Sequence, residues 1–358
     1  MKQRIYLDHA ATTPILPQAR EAMAAAMETW ANPSSPHAEG RKARAVLEQA
    51  RETVARELGW RHDVIFTSGA SEAVAIAAAR AKVPGRIIGA TEHAIVPHEM
   101  GKASVVVPVG TDGVIDLPAL AAALGNGPSL VAIQQVNNET GVIQPIERIA
   151  EVVRGAGSLL LADCAQSAGK IPVPEADFIA VSAHKLGGPP GIGALLVQDL
   201  AMLEPTGGQE KGYRRGTQDA PSAAGFAAAL ESRAFAEAMR RLAELRRRLE
   251  DGVTAAGGVV IAEDSPRIPN IGTIALPGAS NASLLAQFDL GGFAVSAGSA
   301  CSSGKMKASA VLEAMRVPSE IASSFLRISF GPSTSEADVE AFVAEWARVV
   351  ERANARAA

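Results

Sequence analysis

Short apolar runs alternate with helical ones through the middle of the chain. The apolar runs begin at Val64 and recur at Arg86–Ala90, Val105–Val107, Leu130–Val136, Leu159–Asp163, Phe178–Ala183 and Gly193–Val197. Strands separated by helical segments in this rhythm predict an α/β lobe built on a mainly parallel sheet. One long helix is then expected across Gly225–Gly252, where Phe235, Met239, Leu242, Leu245 and Leu249 recur at helical spacing. Glu237 with Arg241 and Glu244 with Arg248 supply i,i+4 charge pairs along it. From about Gly252 short strands and helices mix, and the chain closes with the amphipathic run EADVEAFVAEWARVVERANARAA. That remainder reads as a smaller α+β lobe, joined to the first by the long helix.

Several polar residues fall where these strands end. The strand Phe178–Ala183 delivers Lys185 onto a glycine-rich loop, and the neighbouring strand ends in Asp163. A lysine beside an acid at the carboxyl edge of a sheet is what an aldehyde cofactor with a pyridinium nitrogen requires, so the pair suggests pyridoxal phosphate. Standing alone, the pair would read first as a surface lysine and a helix-capping aspartate. The run VIFTSGASEAVAIAAARA predicts a strand, a small-residue turn and an alanine-rich helix. The amides of Gly69, Ala70 and Ser71 then open the positive end of that helix, either as a phosphate seat or as a plain connection. His93 follows another strand and reads as a ring-stacking or proton-relaying imidazole, or as a structural one. Asn138 reads as a donor to a ring oxygen or carboxylate, and Asn-Asn before Glu-Thr-Gly is also good turn chemistry.

In this order the motifs resemble the cysteine desulfurases, a branch of the class V aminotransferase group with the pyridoxal phosphate fold type I. The resemblance runs nearly end to end: YLDHAATTP at Tyr6–Pro14, NPSSPH at Asn32–His37, FTSGASE at Phe66–Glu72, EH at Glu92–His93, VNNETG at Val136–Gly141, SAHK at Ser182–Lys185, GGQEKGYRRGT at Gly207–Thr217 and SAGSACSSG at Ser296–Gly304. The last motif separates desulfurases from their aminotransferase relatives. It places Cys301 among small and hydroxyl residues, a composition suited to a mobile, exposed loop whose thiol can act as a nucleophile. Cys164, directly after Asp163 on a buried strand, reads as a small core residue.

The resemblance implies a residue-by-residue site. Lys185 would hold the cofactor covalently and shuttle the α-proton, Asp163 would keep the ring nitrogen protonated, and His93 would stack on the ring. Gln166 and Asn138 would bond the ring oxygen or the substrate. Ser71, Ser182, His184 and the amide of Ala70 would hold the phosphate, and Thr217 would reach the phosphate of a second subunit, which implies a homodimer. Arg327 would grip the substrate carboxylate, with Asn32 nearby. The implied reaction takes sulfur from L-cysteine, leaves L-alanine, and stores the sulfur on Cys301 as a persulfide for an acceptor protein such as an iron–sulfur scaffold. The implied division is a large cofactor-binding domain at 13–230 and a small domain at 1–12 and 231–358 that carries the cysteine loop.

Composition narrows the setting. The chain of 358 residues is 47% hydrophobic and 20% charged, ordinary for a globular protein. Its 34 basic and 38 acidic residues give a formal charge of -4, which offers no electrostatic case for nucleic acid. Two cysteines form no disulfide framework, and the amino terminus has no signal-like segment, so a cytoplasmic protein with no membrane span is expected. The six histidines and two cysteines show neither CxxC nor HExxH spacing, so no metal is expected.

Three features depart from the family pattern. Gly187 and Pro189-Pro190 stand beside Lys185 where relatives tend to carry bulkier or basic residues, which points to a reshaped rim. The stretch CSSGKMKAS is more basic and less proline-bearing than usual, and the chain stops soon after its last helix, so the acceptor is left open. A selenocysteine lyase or an aminotransferase acting on a small amino acid is the alternative enzyme. A non-catalytic sulfur-relay protein is disfavoured by the joint presence of Lys185, Asp163, His93 and Arg327.

Overall fold

The computed structural model describes residues 4–298 and 309–357, so Cys301 lies outside the described residues. In chain order the described strands are β1 (Ile5–Tyr6), β2 (Asp63–Thr67), β3 (Gly85–Gly89), β4 (Val105–Val107), β5 (Ser129–Gln134), β6 (Leu159–Asp163), β7 (Phe178–Ser182), β8 (Gly193–Val197), β9 (Val259–Val260), β10 (Ile271–Ala275), β11 (Phe293–Ala294) and β12 (Phe325–Ser329). The α-helices are α1 (Pro17–Met27), α2 (Ala38–Glu57), α3 (Ala70–Arg80), α4 (Ile95–Met100), α5 (Leu117–Leu124), α6 (Ile146–Gly155), α7 (Ala220–Glu231), α8 (Ala234–Ala255), α9 (Asn281–Leu290), α10 (Ala310–Ala314), α11 (Ser319–Ala322) and α12 (Glu336–Ala357).

Seven strands form the central sheet in the order β2-β8-β7-β6-β5-β3-β4. Neighbours from β4 through β7 are parallel, whereas β8 runs antiparallel to both β7 and β2. The exception has a local cause. A parallel crossover needs a dozen residues or more, usually with a helix, whereas an antiparallel neighbour can be reached by a shorter loop. Only the segment 183–192 joins β7 to β8, and this segment carries Lys185. Strands β5, β7 and β8 are buried at every position, as expected of a sheet covered on both faces. One face packs on α3 and α4 through Ala73, Val74, Ala77 and Val96. The other joins a core that runs through Leu47, Ile149, Phe226 and Leu242 to Phe288, Phe342 and Trp346. Trp346 and Phe342 are fully buried on the apolar face of α12, where Phe342 stacks on Phe288 with ring centroids 4.7 Å apart.

The chain's start folds back onto its far end. β1 pairs in parallel with β11, and an isolated bridge joins Asp8 to Ser329 at the end of β12, itself the edge of an antiparallel β12-β10-β9 sheet. Thr13 N–H then donates to the His184 carbonyl at 2.8 Å, laying residues 8–13 beside the Lys185 loop.

Three sequence expectations change in detail. The single helix across 225–252 is two helices, because Arg233 takes a left-handed conformation (φ 52°, ψ 15°) between α7 and α8. Neither glycine nor proline marks that break; the Ser232 hydroxyl covers it by donating to the Ala229 carbonyl at 2.7 Å. The strand expected at Leu130–Val136 ends at Gln134, and Val136 instead bridges Ile143 across a turn. Arg241 turns from Glu237 to the carbonyls of Pro332 and Thr334, whereas Arg248 does approach Glu244, at 3.9 Å. Among the described residues no helix is long and apolar enough to cross a membrane.

Candidate active site

The turn between β2 and α3 is shaped by two glycines. Gly69 sits at φ 153°, ψ 179°, a region open to glycine alone without strain. It caps the helix that begins at Ala70, so the first amides of α3 face outward with no side-chain cap. Gly193 on β8 lets this turn settle on the sheet: a Cβ there would stand 2.7 Å from Gly69 Cα and 2.3 Å from the Val181 carbonyl oxygen. Glu72, in the first turn of α3, accepts from the Ser68 amide at 2.5 Å and from Arg214 Nε at 3.0 Å, which ties the 207–217 loop to the same turn.

Ala70, Ser71, His93, Asn138, Asp163, Gln166, Ser182, His184, Lys185 and Arg327 line one cavity of about 330 Å³. They reach it from different elements. Asp163 ends β6 and accepts from the Ala165 amide at 2.9 Å; Ser182 ends β7; Lys185 closes the short 3-10 turn that follows. Asn137 and Asn138 divide the two roles open to that pair. The Asn137 side chain accepts at Oδ1 from the amides of Glu139 and Thr140 at 2.9 and 2.8 Å and builds the turn, while Asn138 lines the cavity. Gln166 donates from Nε2 to the Ala10 carbonyl at 2.9 Å, and its buried Oε1 has no hydrogen-bond partner among the described residues. Asn32 and Thr217 are exposed and stand outside this cavity. Their segments nevertheless meet, since the Ser34 hydroxyl donates to Gln209 at 2.9 Å.

Burial sets the charge states. Enclosure first, then the charges of Lys185 and Lys170, lower His184 to about 4, and its Nδ1 lies 3.2 Å from the Thr12 hydroxyl. His93 is lowered by burial and by Lys185, with Asp163 opposing. Both imidazoles are therefore neutral at pH 7. Burial and the neighbouring Asp163 raise Glu92 well above the usual carboxylate range, and Glu92 accepts from the Gln134 amide at 2.8 Å. The shift disfavours a second negative charge beside Asp163. Cys164 is fully buried and its thiol is pushed up chiefly by that burial, which makes it an inert core residue.

Pro190, flagged by its departure from the family pattern, does line the cavity. Other neighbours carry no such signal in the sequence: Gly191 from the same loop and Ala10 and Ala11 from the amino-terminal segment also line it. Asp8 pairs with Arg327 at 2.7 Å although YLDHAATTP had drawn notice only as a motif. Lys170 is fully buried with no hydrogen-bond partner among the described residues, and its Nζ lies 4.9 Å from the centre of the Phe235 ring. No pattern in the sequence distinguishes it from a surface lysine.

Comparison with known proteins points one way. The family model described as aminotransferase class-V matches residues 5–342. A cysteine desulfurase of Cereibacter sphaeroides is 35% identical over 362 residues, covering 94% of this chain and 93% of that protein. An IscS-like cysteine desulfurase of Mycobacterium tuberculosis is 39% identical over 371 residues, with 94% and 93% covered. Among solved structures, a NifS-like protein from Rickettsia africae superposes with a TM-score of 0.89 at 30% identity over 98% of this chain and 100% of its own. A structure of SspA in complex with cysteine gives a TM-score of 0.79 at 29% identity over 92% and 100%. With matches of this extent to both sequences and folds, the chain belongs to the aminotransferase class-V family of enzymes, within its cysteine desulfurase branch.

Proposed function

We propose that the cavity holds pyridoxal phosphate and that the protein works as a cytoplasmic homodimer, taking sulfur from L-cysteine and leaving L-alanine. The observation that carries this reading is the convergence of Lys185, Asp163 and Arg327, from three separate elements, on one cavity. The open amides of α3, the glycine-shaped turn before it and the orphaned Gln166 Oε1 fit a phosphate at one end and a hydrogen-bonding ring at the other. When bound, pyridoxal phosphate supplies an electron sink for the amino acid's α-carbon.

The chain's own groups do the rest. Lys185 attaches the cofactor and moves the α-proton, a task that calls for an amine free of its extra proton. Asp163 holds a proton on the ring nitrogen, and neutral His93 offers its ring face. Ser71, Ser182, His184 and the Ala70 amide hold the phosphate, Gln166 and Asn138 bond the ring or substrate, and Arg327 holds the α-carboxylate. Thr217, outside this subunit's cavity, reaches the phosphate of the second subunit across a two-fold interface, and Asn32 stands near the substrate carboxylate. Cys301, as a thiolate, takes the substrate sulfur, becomes a persulfide and passes the sulfur to an acceptor protein such as an iron–sulfur scaffold. The division at 13–230 against 1–12 with 231–358 accords with the pairing of β1 to β11.

Cys301→Ala tests this reading. The variant is expected to bind pyridoxal phosphate and give a spectral change with L-cysteine, yet form almost no alanine. Wild type treated briefly with cysteine gains one sulfur on the peptide that contains Cys301 and none on that of Cys164. Normal turnover by the variant, or keto acid formed with an amino acceptor, would replace the desulfurase by the lyase or aminotransferase.

A further inference from the structure

Arg327 is 2% exposed and already carries a counter-ion. Its Nη2 donates to Asp8 Oδ1 at 2.7 Å and its Nη1 to the Asn138 carbonyl oxygen at 3.0 Å. The buried Nε has no hydrogen-bond partner among the described residues. The guanidinium is fixed by its backbone: β12 pairs with β10 at Thr273, and the Arg327 amide donates to the Ser296 carbonyl at 2.6 Å. Asp8 is held differently. Its backbone is anchored by the bridge to Ser329 and by the Tyr6 hydroxyl, 3.2 Å from its carbonyl oxygen, but its side chain is 19% exposed against 2% for Arg327. The acid therefore has room to turn toward solvent where the guanidinium has none.

We propose that Asp8 is a resident counter-ion of Arg327 that an incoming amino-acid carboxylate displaces, so that Asp8 weakens carboxylate binding and eases product release. The inference rests on the reading that Arg327 receives the substrate carboxylate. Two physical effects act in the same direction. An approaching carboxylate meets the like charge of Asp8 at the one cation it needs. A buried guanidinium stripped of its partner is costly, so the free protein keeps Asp8 in place until another anion replaces it. Product departure then returns Asp8 to Arg327, which spares the empty site an uncompensated charge.

Asp8→Asn keeps the size and the accepting oxygen but removes the charge. In the holoenzyme the variant is expected to bind 3-mercaptopropionate, a carboxylate without an amine, about threefold to tenfold more tightly than wild type. Its melting temperature without ligand falls, and the rise on adding 3-mercaptopropionate exceeds that of wild type. Cysteamine, which has no carboxylate, binds both proteins alike. Asp8→Ser is the second variant should the first not fold, with the same expectations. Unchanged or weaker 3-mercaptopropionate binding in a folded Asp8 variant overturns the proposal, since Asp8 would then be a structural or aligning partner. Arg327→Gln separates the premise: if that variant binds 3-mercaptopropionate as wild type does, Arg327 is not the carboxylate's site and the proposal falls with the premise.

Discussion

Lys185 is set among groups from distant parts of the chain. Thr13, from the amino-terminal segment, donates its hydroxyl to the Lys185 carbonyl at 3.3 Å, and two neutral imidazoles stand near it at His93 and His184. Lys185→Ala is expected to abolish the borohydride-reducible link to pyridoxal phosphate while leaving the fold intact, and peptide mapping of the reduced wild type would show the label on Lys185 alone. A label on another lysine would overturn the site. Asp163→Asn is expected to retain the link but slow α-proton loss by about a hundredfold or more, since a neutral amide holds no proton on the ring nitrogen. Exchange of the α-proton of L-alanine for deuterium, followed by NMR, reads that step without the sulfur chemistry, and an unchanged rate would remove Asp163 from the mechanism.

At the scale of elements the site depends on how closely the β2–α3 turn lies on β8. Gly193 makes that approach possible, and a methyl group there meets backbone rather than a side chain that could swing aside. Gly193→Ala is therefore expected to push the turn off the sheet and cost about 1–3 kcal/mol of stability. Its affinity for pyridoxal phosphate falls more than its affinity for the phosphate-free aldehyde, measured by fluorescence titration of the apoprotein. Equal losses for the two ligands would show that the turn does not seat the phosphate. The neighbouring loop is held by buried charge as well: Arg51 makes a bidentate pair with Glu210 at 2.7 and 3.0 Å, and Glu210 also accepts from the Phe66 amide on β2. The loop that carries Thr217 is thereby fastened to the strand that leads to the phosphate turn.

For the molecule as a whole, buried basic groups give stability two pH windows. Lys170 is lowered from 10.5 to about 7, first by burial and then by Lys185. The unfolded chain then binds more protons than the folded one between about 7 and 10.5, so stability rises with pH across that range, by up to about 1.4 kcal/mol per unit for one group. His9 and His184, lowered from 6.5 to about 4 mainly by burial, give the same sign on the acid side, where stability is lost as pH falls from 6.5 toward 4. Lys170→Met is expected to raise the melting temperature at pH 7 and flatten the alkaline rise while leaving the acid loss in place. A variant whose pH–stability curve parallels wild type between 7 and 10 would show that Lys170 is not buried as an unpaired amine. Assembly is tested separately: sedimentation is expected to show a dimer with a two-fold interface, and a fully active monomer would exclude the shared site.

The sequence by itself determined the central strands, the carboxyl edge and most of the cavity lining, because apolar runs, glycine turns and the residues that end strands are local signals. Lys185, Asp163, His93 and Asn138 were legible on that ground, and the family motifs added Gln166 and Arg327. Tertiary structure alone decided which groups are partnered and which are stranded. The break at Arg233 carries no glycine to announce it, the pair of Asp8 with Arg327 spans the chain from end to end, and Lys170, with no hydrogen-bond partner among the described residues, is buried over the Phe235 ring of α8. Local pattern specifies what an element is. Which charges meet inside the protein depends on contacts between residues far apart in the chain, and on the water those contacts exclude.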